Sequence, residues 1–290
     1  MLKFINRLLP WLYGAAIVFA VYVVFFMPAG TGQKPVDSNN PSSNVGEGGP
    51  TGFNLYSYLN GIKSARGKIV FDCDFKMENG DEISVKSTQQ FESKGTDTAM
   101  TGSTAYALNG DTAIFDDATY IRDKVRYIKA PTGYLSSENI QMDAGNLNFG
   151  RIEESLDSDG KVVLEDGISC YKYTGSMVYG DMSNSFREYI RAQNINVSDI
   201  KNLTLNFTIF VTEQYVPYKM IISFEEAKCM IKSTHLAAKN GTATGSLTLT
   251  FGGFNGVETL NYPSELNAAS AGSYVFTDKL NRYLEATGHN

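Results

Sequence analysis

The stretch "TIFVTEQYVPYKMIISF", residues 208–224, decides the fold of this chain. Apolar and polar residues alternate around Ile209 and Val211, and the alternation resumes from Met220 to Phe224. The segment between the two runs, "EQYVP", has the composition of a turn and places a proline at the start of the second run. Because successive side chains of a strand point to opposite faces, this pattern predicts a β-hairpin with one apolar face.

Similar alternating runs fill most of the chain from Phe53 onward. The run 69–77 puts its apolar residues and one cysteine on a single face, with charged residues opposite. The Asn-Gly pairs at 79–80 and 109–110 are strong signals for tight hairpins. We therefore expect five antiparallel strands within 66–130. Further strands are predicted at 161–177, 203–211 and 246–254.

Helices are predicted where the alternation stops. The segment 183–195 carries a capping box formed by Ser185 and Glu188, and the tail 276–288 is amphipathic with Gly288 beyond its end. Because long strands need one face covered, we expect these helices to lie on the sheet. The predicted fold class is α+β: a curved antiparallel sheet, or half-open barrel, with helices covering its concave face. The helices are expected at 55–65, 136–150, 183–195 and 276–288.

The N-terminus predicts a membrane anchor. Residues 8–27 are almost continuously apolar, and twenty helical residues span roughly 30 Å, the thickness of a bilayer core. Lys3 and Arg7 precede the span, which favours a cytoplasmic N-terminus and an extracytoplasmic remainder. The alternative is a cleaved signal peptide, whose apolar part is normally shorter, roughly 7–15 residues. Either interpretation exports the rest of the chain.

Composition divides the chain into three parts. Residues 1–30 form the predicted single-pass anchor of the cell membrane, and residues 31–52, rich in Gly, Ser, Pro and Asn, form a flexible linker. Residues 53–290 form the extracytoplasmic β-rich domain. The chain has 42% hydrophobic and 19% charged residues, a net charge of −6 and no basic run, which argues against nucleic-acid binding.

The sequence contains no complete motif of a catalytic or metal site. The chain has two histidines and no nucleophile, phosphate-loop or zinc motif, so we expect neither an enzyme nor a cofactor. The loop 155–166 has acidic residues at some calcium-ligand positions of an EF-hand, but Ser155 stands where Asp is expected and a strand follows. An acidic turn is the better interpretation. Cys73, Cys170 and Cys229 are interpreted as structural free thiols, with a Cys170–Cys229 disulfide as the best-placed exception.

Two short segments carry a resemblance to a known family. The phrase from Glu213 to Met220, "EQYVPYKM", resembles the hairpin of LolA-like lipoprotein carriers and related bacterial lipid-binding lipoproteins, in which a turn, a proline, a basic residue and a methionine follow a strand. The later "LNYPSEL", residues 260–266, is similar to the proline-bearing segment near the C-terminal end of those domains. In element order, the resemblance covers roughly 53–266.

The resemblance implies a half-barrel whose concave apolar face holds acyl chains. Carried over by position, the cavity lining would comprise Ile69, Phe71, Phe75, Leu205, Phe207, Ile209, Met220, Ile222, Leu249 and Phe251. The expected function is a membrane-anchored module that binds a lipid, an acyl chain or another hydrophobic ligand. The alternative is a structural or sensory protein of the cell envelope with a filled core and no small-molecule ligand. Neither hypothesis identifies a protein partner.

Overall fold

The structure is a computed structural model that describes residues 62–138, 157–178, 202–231, 239–272, 274 and 276–288. Within these residues, twelve strands form one sheet. The first six are β1 (Ser64–Met77), β2 (Glu82–Lys94), β3 (Asp97–Leu108), β4 (Asp111–Arg122), β5 (Val125–Ala130) and β6 (Gly133–Glu138). The others are β7 (Asp157–Val163), β8 (Ser169–Val178), β9 (Thr204–Thr212), β10 (Pro217–Ile231), β11 (Lys239–Phe254) and β12 (Ser270–Ala271).

The sheet is open, and its order is β12-β6-β5-β4-β3-β2-β1-β11-β10-β9-β8-β7. Strands β1 to β6 follow one another as antiparallel neighbours, and β11 returns beside β1 to begin a second antiparallel series that ends at β7. The short β12 pairs with β6 in parallel, so the sheet is mixed. The five antiparallel strands predicted within 66–130 are therefore confirmed.

The predicted hairpins are present, and the turn at 109–110 has the expected chemistry. Asn109 and Gly110 both have positive φ, 51° and 97°, which is the geometry of a type I′ turn. In the hairpin of β9 and β10, Pro217 lies opposite Val211, and the Thr212 amide donates to the carbonyl of Val216 at 2.8 Å. Proline thus occupies the first position of its strand, where its missing N–H is tolerated.

The two faces of the sheet differ in burial. We call the face that carries Ile69 and Leu249 the inner face, and the face that carries Arg66 and Lys68 the outer face. Along β1 the inner side chains from Ile69 to Met77 are buried, whereas the outer ones are exposed or half-buried. The alternation predicted for this strand is therefore confirmed.

The predicted cover of the concave face by several helices is wrong for the part of the chain that the structure describes, although the helix predicted at 276–288 is present. One α-helix, α1 (Phe276–Thr287), and one 3-10 helix (Ser264–Ala268) are present there. The residues that were assigned to the ends of two other helices lie in strands, with Ser64 in β1 and Ser136 in β6. The fold is a twelve-stranded mixed open sheet and not a half-barrel closed by helices. The segments 55–61, 139–150 and 183–195 lie outside the described residues.

The physical reason is the length of the strands. Strands β10 and β11 contain 15 and 16 residues. Strand β11 begins with "KNGTATGS", a polar segment in which apolar alternation cannot be recognised. Paired strands of this length satisfy their backbone groups without any helix.

The predicted transmembrane helix also finds no support in the structure. Its residues, 8–27, lie outside the described ones, as do the boundaries between residues 1–30, 31–52 and 53–290. Among the residues that are described, no helix is long and apolar enough to cross a membrane. Helix α1 has 12 residues, which at about 1.5 Å each make it far shorter than a bilayer core.

The C-terminal segment passes around one edge of the sheet. We call residues 255–272 the strap. It begins at β1, where the Asn255 amide donates to the carbonyl of Ser64, and Leu266 packs on the outer face against Ala118 and Tyr120. The strap then pairs with β6 through β12, which forms the edge of the sheet, after which α1 lies on the inner face.

The interpretation of Cys73 and Cys170 as free thiols is confirmed, since both are buried and unbridged. The alternative, a Cys170–Cys229 disulfide, is wrong. Cys170 lies opposite Thr212 beside the β9–β10 turn, whereas Cys229 lies opposite Gly241. Pro217 lies opposite Val211, the neighbour of Thr212, and Cys229 is twelve residues along β10 from Pro217. At about 3.3 Å per residue, the backbones of Cys170 and Cys229 are therefore separated by roughly 40 Å. A disulfide requires Cα atoms within about 7 Å.

Candidate ligand-binding face

The ten predicted lining residues all lie on the inner face, across four adjacent strands. Directly paired residues of antiparallel strands point to the same face. Ile69 lies opposite Leu249, Leu249 opposite Met220, and Met220 opposite Ile209. The neighbouring row comprises Phe71, Leu247, Ile222 and Phe207.

The remaining residues extend this apolar region. Phe75 lies opposite Ala243, Phe251 opposite Gly67, and Leu205 opposite Met177 of β8. Nine of the ten side chains are 8% exposed or less, and Leu205 is half-buried. The structure therefore brings the predicted set together, and its role in binding a ligand stays a prediction.

The sequence reasoning missed a buried polar strip beside this region. Ser87, Gln89, Thr104 and Asp117 lie on the inner face of β2, β3 and β4, and each is 4% exposed or less. The Thr104 hydroxyl donates to Asp117 Oδ2 at 2.9 Å and lies 3.1 Å from Ser87 Oγ. The feature of the sequence that indicates this strip is the polar run "KSTQQ", residues 86–90, which interrupts the apolar face of β2.

Helix α1 covers the polar strip. The Lys279 ammonium donates to Asp117 Oδ2 at 2.6 Å, and the Leu108 amide donates to the Tyr283 hydroxyl at 2.8 Å. That hydroxyl in turn donates to the carbonyl of Asp111. The space next to Asp117 is about 10 Å³, enough for roughly one water molecule. This end of the inner face is therefore closed by polar contacts.

Tyrosines lie at the opposite end of the inner face, near the edge strand β7. Tyr173 lies opposite Ile209, and burial raises the pKa of its phenol. Tyr171 stacks on Tyr215, which is 42% exposed, with ring centroids 6.1 Å apart and planes 8° apart. The apolar region thus lies between a tyrosine-rich end and the polar strip under α1.

The acidic segment 155–166 does not form the calcium loop that was considered. Asp157 and Asp159 belong to strand β7, and Asp159 forms an ion pair with Lys172 at 2.8 Å. The hydrogen bond from Lys172 lowers the pKa of Asp159. Within the described ranges, no group of three or more His, Cys, Asp or Glu residues is arranged to hold a metal ion.

Comparisons with known proteins find likeness in structure only. No protein-family model matches the sequence. No curated protein matches it either.

Several solved structures match this chain, among them the following two. LprF from Mycobacterium bovis has 12% identity and a TM-score of 0.37, over 70% of this chain and 90% of that one. A LolA superfamily protein from Nitrosomonas europaea has 8% identity and a TM-score of 0.23, over 71% of this chain and 90% of that one. The second protein belongs to the superfamily that the segment "EQYVPYKM" resembles, and membership of this chain in that superfamily stays a prediction.

Proposed function

We propose that this domain is an exported binding module, without catalytic activity, that holds a lipid acyl chain or another hydrophobic ligand against its inner face. The observation that carries the proposal is the pair of apolar rows across β1, β11, β10 and β9. An acyl chain that lies along such rows gains about 0.8 kcal/mol for each CH₂ group removed from water. The resemblance to LolA-like carriers implies the same class of ligand.

The polar groups at the two ends of the apolar region support an amphiphile over a plain hydrocarbon. Tyr171 and Tyr215 supply rings with polar hydroxyl groups at one end. Such rings suit the boundary between an apolar tail and a hydrated head group. At the other end, the ion pair of Asp117 and Lys279 limits how far an apolar chain extends.

One observation favours a second candidate, a structural or sensory protein with a filled core. Nine of the ten inner residues are at most 8% exposed, which is the burial expected of a filled core. In that case a ligand would have to displace protein atoms. The two candidates differ in whether the purified protein carries lipid.

Native mass spectrometry of the full chain, purified without detergent and then exposed to palmitic acid, tests the proposal. We expect a bound species whose mass increases by that of the fatty acid. The substitution Met220→Gln puts a polar group into the first apolar row and should weaken binding about tenfold or more, since burying an unpaired amide costs over 1 kcal/mol.

The matched control is Ile221→Gln. Ile221 is the next residue of β10, and it lies opposite Thr208 on the outer face. This variant should bind palmitic acid as the unaltered protein does. An apo mass that never takes up fatty acid, or equal loss of binding in both variants, would favour the filled core. Circular dichroism of each variant establishes that it is folded.

A further inference from the structure

A hollow of about 430 Å³, lined by both polar and apolar residues, lies on the outer face, away from the apolar rows. Its floor follows one row of directly paired residues across β1 to β4. Arg66 lies opposite Glu92, Glu92 opposite Ala99, and Ala99 opposite Tyr120. Ala99 has the smallest side chain of this row and lines the hollow. Gln90 and Thr101, paired in the next row, also line it.

The strap forms one wall of the hollow through Asn261. It is fixed on both sides of this residue. On one side the Val257 amide donates to Ser64 Oγ at 3.1 Å, and on the other the Tyr262 hydroxyl donates to the carbonyl of Ile121 at 3.2 Å. The Lys94 ammonium also donates to the carbonyl of Glu258. The wall is therefore held at a set distance from the sheet.

Five polar side chains converge on the hollow without bonding to one another. These are Arg66, Gln90, Glu92, Thr101 and Asn261, and none of them forms a hydrogen bond or ion pair with another residue that the structure describes. Arg66 and Glu92 form no ion pair although they are direct cross-strand partners. Elsewhere on the same face, Lys86 and Asp72 are also direct partners and do pair, at 2.7 Å.

The chemistry of this lining selects a class of ligand. A charged ligand would meet one group of like charge, since Arg66 and Glu92 are opposite in sign. An apolar ligand would remove five polar groups from water without giving them partners, which is unfavourable. A ligand with hydroxyl groups suits the set, because each hydroxyl donates to a carboxylate or amide oxygen and accepts from a guanidinium or amide N–H.

The position in the sheet disfavours an extended peptide. Peptides that bind to a sheet by adding a strand need a free strand edge. The hollow lies over β1, β2 and β3, which are paired on both sides, so their backbone groups are already used.

We propose that the hollow is a binding site for a neutral saccharide of one or two sugar rings.

Isothermal titration calorimetry of the full chain with N-acetylglucosamine and with maltose tests this proposal. We expect saturable binding of at least one of the two sugars. Arg66→Ala and Asn261→Ala should each weaken it about tenfold, because the first removes hydrogen-bond donors from the floor and the second removes one from the strap wall. Ala99→Leu should abolish binding by filling the floor of the hollow while every polar side chain stays in place.

The matched control is Lys76→Ala. Lys76 is a cation on the same strand and face as Arg66, beyond the hollow, and its loss should change the affinity less than about twofold. No binding of either sugar, or equal affinity in Ala99→Leu and the unaltered protein, would overturn the proposal, as would binding of triglycine in preference to both sugars. Because the hollow lies on the outer face, failure here leaves the binding of palmitic acid to the inner face untouched.

Discussion

Lys279 of α1 forms an ion pair with Asp117 of β4, with Nζ 2.6 Å from Oδ2, on a face of the sheet that is mainly apolar. The side chains are 14% and 4% exposed, so neither charge is well hydrated. A buried ion pair contributes little by itself, because desolvation offsets the attraction of the charges. Removing one partner is costly, however, because the other charge stays buried. The pair therefore makes the docking of α1 dependent on two individual residues.

We predict that Lys279→Met destabilises the protein by about 3 kcal/mol, because Asp117 then keeps only the hydrogen bond from Thr104. Urea unfolding followed by circular dichroism measures the change. The double variant with Asp117→Leu should recover most of the loss, since no buried charge then remains. If the double variant is as unstable as Lys279→Met alone, the ion pair does not explain the effect.

The control is Lys86→Met, which breaks the ion pair with Asp72 on the outer face. Those side chains are 61% and 37% exposed, so water and salt screen the interaction. We expect a loss below about 1 kcal/mol. Losses of equal size for the two lysines would contradict the argument from burial.

The hairpins could be predicted from the sequence because their signals are local. Asn109-Gly110 supplies two residues that tolerate positive φ, and Pro217 occupies the first position of a strand. The inner face of β1 was also predictable, because its apolar alternation is unbroken from Ile69 to Met77. Each of these features depends on residues within about ten positions of one another, and short-range chemistry is sufficient to specify them.

The position of the strap and α1 could not be predicted, because it depends on contacts between distant residues. Tyr283 bonds to Leu108 across 175 positions, and Val257 bonds to Ser64 across 193. Asp117 is buried whereas its sequence neighbour Asp116 is exposed, because successive residues of a strand point to opposite faces. The ion-pair partner of Asp117 lies in the last helix.

Gly102 is predicted to be irreplaceable in the centre of the sheet. A Cβ atom at this position would lie 2.0 Å from the carbonyl oxygen of Thr88 and 2.7 Å from the Cα of Gln89. Both obstacles are backbone atoms, so relief requires β2 and β3 to move apart. We expect Gly102→Ala to destabilise the protein by about 3 kcal/mol or more, measured by urea unfolding.

Gly272→Ala is the matched control, because the nearest atom to its added Cβ would be a side-chain carbon of Leu135 at 3.6 Å, an ordinary contact. This change should alter the free energy of unfolding by less than about 1 kcal/mol. Similar stabilities for the two alanine variants would show that β2 and β3 separate easily at Gly102.

The last prediction concerns the titration of Tyr218, whose hydroxyl donates to the Asp166 carboxylate. This hydrogen bond, with a smaller contribution from burial, raises the pKa of Tyr218 from 10.0 to about 12. The same bond lowers the pKa of Asp166. The folded state thus holds the phenol proton more tightly than the unfolded state. The stabilisation is fully present below pH 10 and is lost as the pH rises from 10 to about 12.

We expect Asp166→Asn to lower the pKa of Tyr218 towards 10.0, because the carboxylate is the main cause of the increase. NMR of tyrosine labelled at Cζ measures this pKa directly. Tyr120 is the internal control: burial is the main reason that its pKa is about 12, and Asp166 does not contribute. Its titration should therefore be the same in both proteins. A Tyr218 pKa that stays near 12 in the variant would mean that burial, and not the hydrogen bond, holds the proton.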